Sequence, residues 1–307
     1  MRRLTIAIGC AVLVALSGAV PASATAGAGH RSGGVFPAVA RDVVAYYDFE
    51  HALGTVEKDQ GRSGTDINLI NGAPRVRDGF RHALQVGQIS PTTAGNDDWK
   101  AGIYSATGVP SLHAFNAARE ATVMGWFKMT GTNPSPNTVT ANPNDMFNAV
   151  GLAGVLTGDS DGHAVRALLE VIQVGDELKV VALGRRIDGG SSQTFAASLP
   201  WQEVLPQNEW VFLAATFNYD TGEMALYRDG RPLDGFYTVT GDPWLVNGEP
   251  EPDVTTASDP RGIKIGGSFP QNTVERNPCN CRMDELMFFN RALTAKDVWR
   301  QYQWARH

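Results

Sequence analysis

The stretch Arg282–Trp299, RMDELMFFNRALTAKDVW, constrains this chain most. Its two halves have different periods. Met283, Leu286, Met287, Phe288 and Phe289 make a near-continuous apolar run, which reads as a largely buried strand. Asn290 and Arg291 break it. Thr294 follows as an N-cap, with Asp297 three residues on as an incomplete capping-box partner, and helix-compatible residues continue to about Tyr302. A strand that closes a sheet, followed by a short exposed helix, needs a partner strand made earlier in the chain. VVAYYDFE (Val43–Glu50), rich in β-branched and aromatic residues, is the natural one. The first and last strands are therefore expected side by side.

Between them the chain reads as strands with short gaps. Glu209–Asn218 and Glu223–Asp229 flank the turn Tyr219-Asp220-Thr221-Gly222 and form a hairpin. Ala164–Val174 and Leu178–Arg186 form another around Val174-Gly175-Asp176. Thr65–Ile70, Arg81–Val86, Ala121–Met129, Phe147–Leu156, Gln193–Ala197, Pro232–Val239 and Gly262–Gly266 are further strands. Asn133–Asp145 and Asp242–Pro260 are long loops. About a dozen strands and one terminal helix imply an all-β, antiparallel two-sheet sandwich, one domain over residues 42–307.

Ahead of that domain, Met1–Ala24 reads as a secretory signal. Arg2 and Arg3 precede the apolar run Leu4–Leu16, and Ala22-Ser23-Ala24 suits cleavage. The run is too short to span a bilayer, and no other stretch is long and apolar enough. An uncleaved anchor is the rival reading. Residues 25–41, rich in Ala, Gly and Ser without periodicity, read as a flexible leader. Removing Arg2 and Arg3 takes the formal net charge from −6 to −8. That balance opposes nucleic-acid binding and suits calcium, neutral sugars or plain solubility. Two cysteines would remain, Cys279 and Cys281. In an oxidising compartment they are expected to form a tight local disulfide, with two free thiols as the alternative.

YYDFE, KDQGRSGTDINLING, EWVFLAATFNYDTGEMALYRDGRPLDG, IKIG and RMDELMFFNRALTAKDV occur in this order. The chain resembles the LamG-like group of laminin-G and concanavalin-A-like jelly rolls over nearly all of residues 42–302. The hairpin and the M-D-E-L…N-R-A-L-T ending are the most specific parts. The two long inserts and the Cys279-x-Cys281 pair depart from the pattern. The resemblance implies a jelly-roll sandwich, outside the cell or at its surface. It does not imply one function, because lectins, carbohydrate-binding modules, glycoside hydrolases, polysaccharide lyases and adhesion domains share the fold.

Three constellations follow. By resemblance, a structural Ca²⁺ would join Asp59 and Asp284, with carbonyls near Gly61 and Gly64 completing its oxygen shell; the alternative is turn chemistry that needs no ion. Asp159-Ser160-Asp161-Gly162 reads as a plain turn. For sugar stacking, the loop tryptophans Trp99 and Trp244 are candidates, with covering a sheet edge as the alternative; Trp126 and Trp210 sit in strand motifs and read as core. For catalysis or ligand contact, Arg166, Glu170, Arg185, Tyr227 and His163 are candidates to line a concave sheet, against an Arg166–Glu170 ion pair on a solvated face. Compact paired-carboxylate and lyase motifs are missing. The leading expectation is a secreted, lectin-like protein that binds poly- or oligosaccharide, with structural calcium as the cofactor the resemblance implies. A polysaccharide lyase or glycoside hydrolase is the alternative, and a surface adhesion protein a further one.

Overall fold

The computed structural model describes residues 33–306 apart from 52, 80, 91–92, 94–98, 117, 134–149, 157–164, 186–191, 245, 248–258, 268–274 and 276–277. The signal reading, most of the leader, His163, the Asp159–Gly162 turn and much of both long loops lie outside the described residues.

Two antiparallel sheets stack as a sandwich. The eight-stranded sheet runs Arg231–Pro232, Met224–Arg228, Val211–Asn218, Glu120–Met129, Cys281–Phe289, Arg81–Val86, Arg75–Asp78, with Val43–Tyr47 also paired to Cys281–Phe289. The nine-stranded sheet runs Gly235–Tyr237, Ser192–Ala197, Glu177–Arg185, Val165–Val174, Val150–Leu156, Gly262–Ile265, Ala101–Tyr104, Ile67–Leu69, Val56–Glu57. Alternation along each strand sends one set of side chains inward. Phe127, Leu213, Phe217 and Phe288 from the first sheet meet Leu169, Val171, Val180 and Ile263 from the second in one continuous core.

The chain ends meet as expected, with Val43 opposite Phe289 and Tyr47 opposite Leu286. The closing strand is central, not an edge. Glu120–Met129 borders one side of it. Its other side is split between two partners: Cys281–Met283 pair with Leu84–Val86, and Leu286–Phe289 pair with Val43–Tyr47. The change of partner falls at Asp284–Glu285, where the register slips and Glu285 adopts a left-handed φ of 51°.

The helix Ala295–Trp304 starts as the sequence indicates, with the Thr294 hydroxyl accepting from the Asp297 amide at 3.2 Å. Val298 and Tyr302 cover Trp126, Phe212 and Tyr227 in a second apolar cluster. Residues 33–41, expected within a flexible leader, also pack here. Val39 is buried in the cluster, with Val35 and Phe36 against it. The Phe36 amide donates to Gln301 Oε1 at 2.7 Å, and Gln301 Nε2 donates to the Gly34 carbonyl at 2.8 Å. Three apolar side chains and a buried glutamine suffice to order a stretch whose composition reads as a linker.

Candidate functional site

A cleft of about 390 Å³ opens where the two sheets meet at one end of the sandwich. Gln193, Tyr237, Thr240, Asp242, Trp244 and Asn247 are among its lining residues. Tyr237 closes the register of the outermost strand of the nine-stranded sheet, opposite Phe195. Its hydroxyl reaches across to the hairpin of the other sheet, accepting from the Met224 amide at 2.9 Å and donating to the Gly222 carbonyl at 3.2 Å. The phenol oxygen is thereby occupied and the ring is left 41% exposed at the cleft. Phe195 steadies it edge-on, with ring centroids 5.3 Å apart.

The loop that follows forms the opposite wall. Asp242 Oδ1 accepts from the Val246 amide at 2.9 Å and Oδ2 from the Asn247 amide at 2.7 Å. These bonds fold the start of the long acidic loop back on itself. They seat Trp244, which was expected as a surface loop residue and is instead 1% exposed. Its ring packs on Tyr219, centroids 4.9 Å apart, and Nε1 donates to the Gly184 carbonyl at 3.3 Å. Gly184 admits it, because a Cβ there would stand 2.8 Å from the indole. Trp244 is a floor of the cleft; Tyr237, which the sequence reading did not single out, offers the ring face.

The expected concave set does not assemble. Glu170 lies on the outer face of the nine-stranded sheet, since its neighbours Leu169 and Val171 face the core. Tyr227 lies in the other sheet, beneath the C-terminal helix. Arg166 shares the strand Val165–Val174 with Glu170, four residues away along it. Arg185 is four residues past Val181, the cross-strand partner of Glu170. Glu170 is 3% exposed, and burial raises its carboxyl to about 8. Leu168, Val181 and Gly151 surround it on that face. Trp99 is half-buried on the same side, its ring seated over Gly102, where a Cβ would come within 2.9 Å of it.

Asp59 and Asp284, the candidate calcium ligands, each hold protein partners of their own. Asp59 Oδ1 accepts from the amides of Tyr46 (2.8 Å) and Gly61 (2.6 Å), and Oδ2 from the Ser63 hydroxyl (2.6 Å) and the Thr65 amide (2.9 Å). Four donors point their hydrogens at this carboxylate, whereas a cation needs a shell of oxygens. Gly61 is there for close approach, its absent Cβ standing 2.6 Å from the Val44 carbonyl, and Gly64 supplies a left-handed turn residue at φ 62°. Asp284 and Glu285 face Arg81, which ion-pairs with Glu285 and stands 3.7 Å from Asp284. Among the described residues, no three His, Cys, Asp or Glu side chains are grouped to hold a metal. Cys279 and Cys281 form the expected disulfide, Cα atoms 5.4 Å apart and both residues buried.

A laminin-G-type family profile, described as the concanavalin A-like lectin/glucanases superfamily, matches residues 100–299. No curated protein matches the sequence significantly. Among solved structures, a Trypanosoma rangeli sialidase in complex with a difluoro-KDN ligand is similar at 17% identity and a TM-score of 0.52, over 85% of this chain and 32% of that one. The botulinum neurotoxin serotype D binding domain is similar at 11% identity and a TM-score of 0.52, over 87% of this chain and 52% of that one. This chain thus spans about a third of the sialidase and half of the toxin domain.

Proposed function

The chain belongs to the concanavalin A-like lectin/glucanase superfamily, and on that premise we propose that it is an extracellular glycan-recognition protein whose binding site is the cleft at Tyr237. An enzyme and a receptor-binding domain both share this fold, so the site must decide between functions. The observation that carries the reading is the exposed ring of Tyr237 beside uncharged side chains, Gln193, Thr240 and Asn247, in a cleft of ligand size. An aromatic face covers the apolar face of a pyranose, while amides and hydroxyls pair with its hydroxyl groups. The disulfide supports an oxidising location, as does the signal-like start of the sequence. No helix among the described residues is long and apolar enough to cross a membrane.

A glycan array probed with the full secreted chain tests this. Tyr237→Phe keeps the ring and is expected to bind within about threefold of wild type. Tyr237→Ala is expected to lose at least tenfold, the scale of one stacked ring. Equal binding by Tyr237→Ala would remove the cleft from the account.

One observation favours the enzyme reading, the buried Glu170. A carboxyl held protonated at neutral pH suits a general acid. A hydrolase needs a second carboxyl about 5–10 Å away, and among the described residues the strand neighbours Leu168, Val181 and Gly151 supply none. Release of reducing ends or unsaturated uronates from a polysaccharide panel, lost in Glu170→Gln, would move the function to this face.

A further inference from the structure

We infer that the Tyr237 cleft selects uncharged sugars and turns away chains that end in sialic acid or carry uronates; this rests on the glycan-recognition reading above. Binding a sugar carboxylate calls for an Arg or Lys, ideally a guanidinium fork that meets both oxygens. The described residues that line the cleft include no Lys and no Arg. The charge present has the opposite sign. Asp242 lines the cleft, and its two oxygens are fixed by the Val246 and Asn247 amides, so the carboxylate cannot swing away to admit an anion. Glu223 stands close behind Thr221, another lining residue, whose hydroxyl donates to it at 3.4 Å. An incoming carboxylate would leave water for described lining residues that offer it repulsion and no countercharge.

The remaining groups favour hydroxyls. Thr240 and the amide side chains of Gln193 and Asn247 both donate and accept, as sugar hydroxyls do. The Tyr237 hydroxyl is already committed to Met224 and Gly222, so its contribution is a ring face and not an acid or a donor. Such a site discriminates by what it lacks as much as by what it holds.

The test compares immobilised neutral oligosaccharides with the same chains capped by sialic acid or oxidised to uronate, at low salt where charge effects are largest. Neutral chains are expected to bind at least tenfold more tightly than their anionic forms. Thr240→Lys, at an exposed rim position, is expected to narrow that gap about tenfold. Anionic chains bound as well as neutral ones, with Tyr237→Ala abolishing both, would overturn the selectivity and leave the glycan site standing. Binding of neither series would overturn the glycan reading, and this inference with it.

Discussion

Two carboxylate sites flank the first strand, Val43–Tyr47, and they are held in opposite ways. Asp59 is gripped by four neutral donors, two of them amides within its own turn and one the strand's Tyr46 amide. Asp284 and Glu285, both fully buried, share one guanidinium, Arg81, which also stands 3.8 Å from Glu50, and accept one amide each, Asp284 from Glu285 and Glu285 from Gly34. The first arrangement spreads its stabilisation over several neutral bonds of about 1 kcal/mol each. The second adds a single cation to its amide bonds, at the point where the closing strand changes partner. A shell closed this way has one side chain whose loss exposes two acids to an apolar interior.

The largest effect is therefore expected at Arg81. Arg81→Met should destabilise by about 3–5 kcal/mol at pH 8, because it leaves buried carboxylates without their countercharge. Thermal unfolding should register this as a fall of roughly 10 °C. Asp59→Ala is expected to cost less, about 2–3 kcal/mol, as amides are left without an acceptor, and Asp59→Asn should recover part of it. If the two alanine-scale losses came out equal, the contrast between concentrated and distributed support would be gone.

The sites should also part company with pH. Burial lifts the Glu285 carboxyl to about 7, Arg81 pulling it back and Asp284 pushing it further up. Its folded value thus lies above its unfolded value of about 4.5. The stabilisation is whole below that unfolded value and is lost as pH rises through about 7. Glu57, lifted to about 7 chiefly by burial, and Glu170, lifted to about 8, act in the same direction. The melting temperature is expected to decline from pH 5 to pH 8. Glu285→Gln, which mimics the protonated group, should flatten the part of that slope due to Glu285, by about 1–2 kcal/mol across the window. A melting temperature that climbs over this range would mean these acids are ionised inside the fold.

The sequence carried the scaffold further than it carried the site. Apolar runs and turn residues located both hairpins, and Thr294 with Asp297 located the helix start. Pairing of the chain ends followed from two buried strands without other partners. What periodicity omits is strand order. Tyr227 alternates correctly on its strand, yet its strand lies in the eight-stranded sheet and that of Glu170 in the nine-stranded one. The break at Asp284–Glu285 has no local signature, because M-D-E-L reads as ordinary strand and the partner of Glu285, Arg81, lies 204 residues earlier. The cleft was illegible for a similar reason. Tyr237 offers a ring face at the cleft because its strand ends beside the hairpin of the other sheet, and Trp244 turns inward because distant Gly184 leaves room for it.

The smallest expected effect is that of a chelator, and it bears on the contrast most directly. Calcium takes six to eight oxygens at about 2.3–2.6 Å. Each Asp59 oxygen already accepts two hydrogens, so an ion would have to displace donors from it. An ion present at a hundredfold excess over its Kd would add about 2.7 kcal/mol, several degrees of melting temperature. EDTA is expected to shift the melting temperature by less than about one degree, in wild type and in Asp59→Ala alike. A drop of several degrees in wild type, erased in Asp59→Ala, would show that the turn reorganises around an ion. Asp59 would then depend on a countercharge just as Asp284 and Glu285 do, and the two sites would differ in which cation they use and no longer in kind.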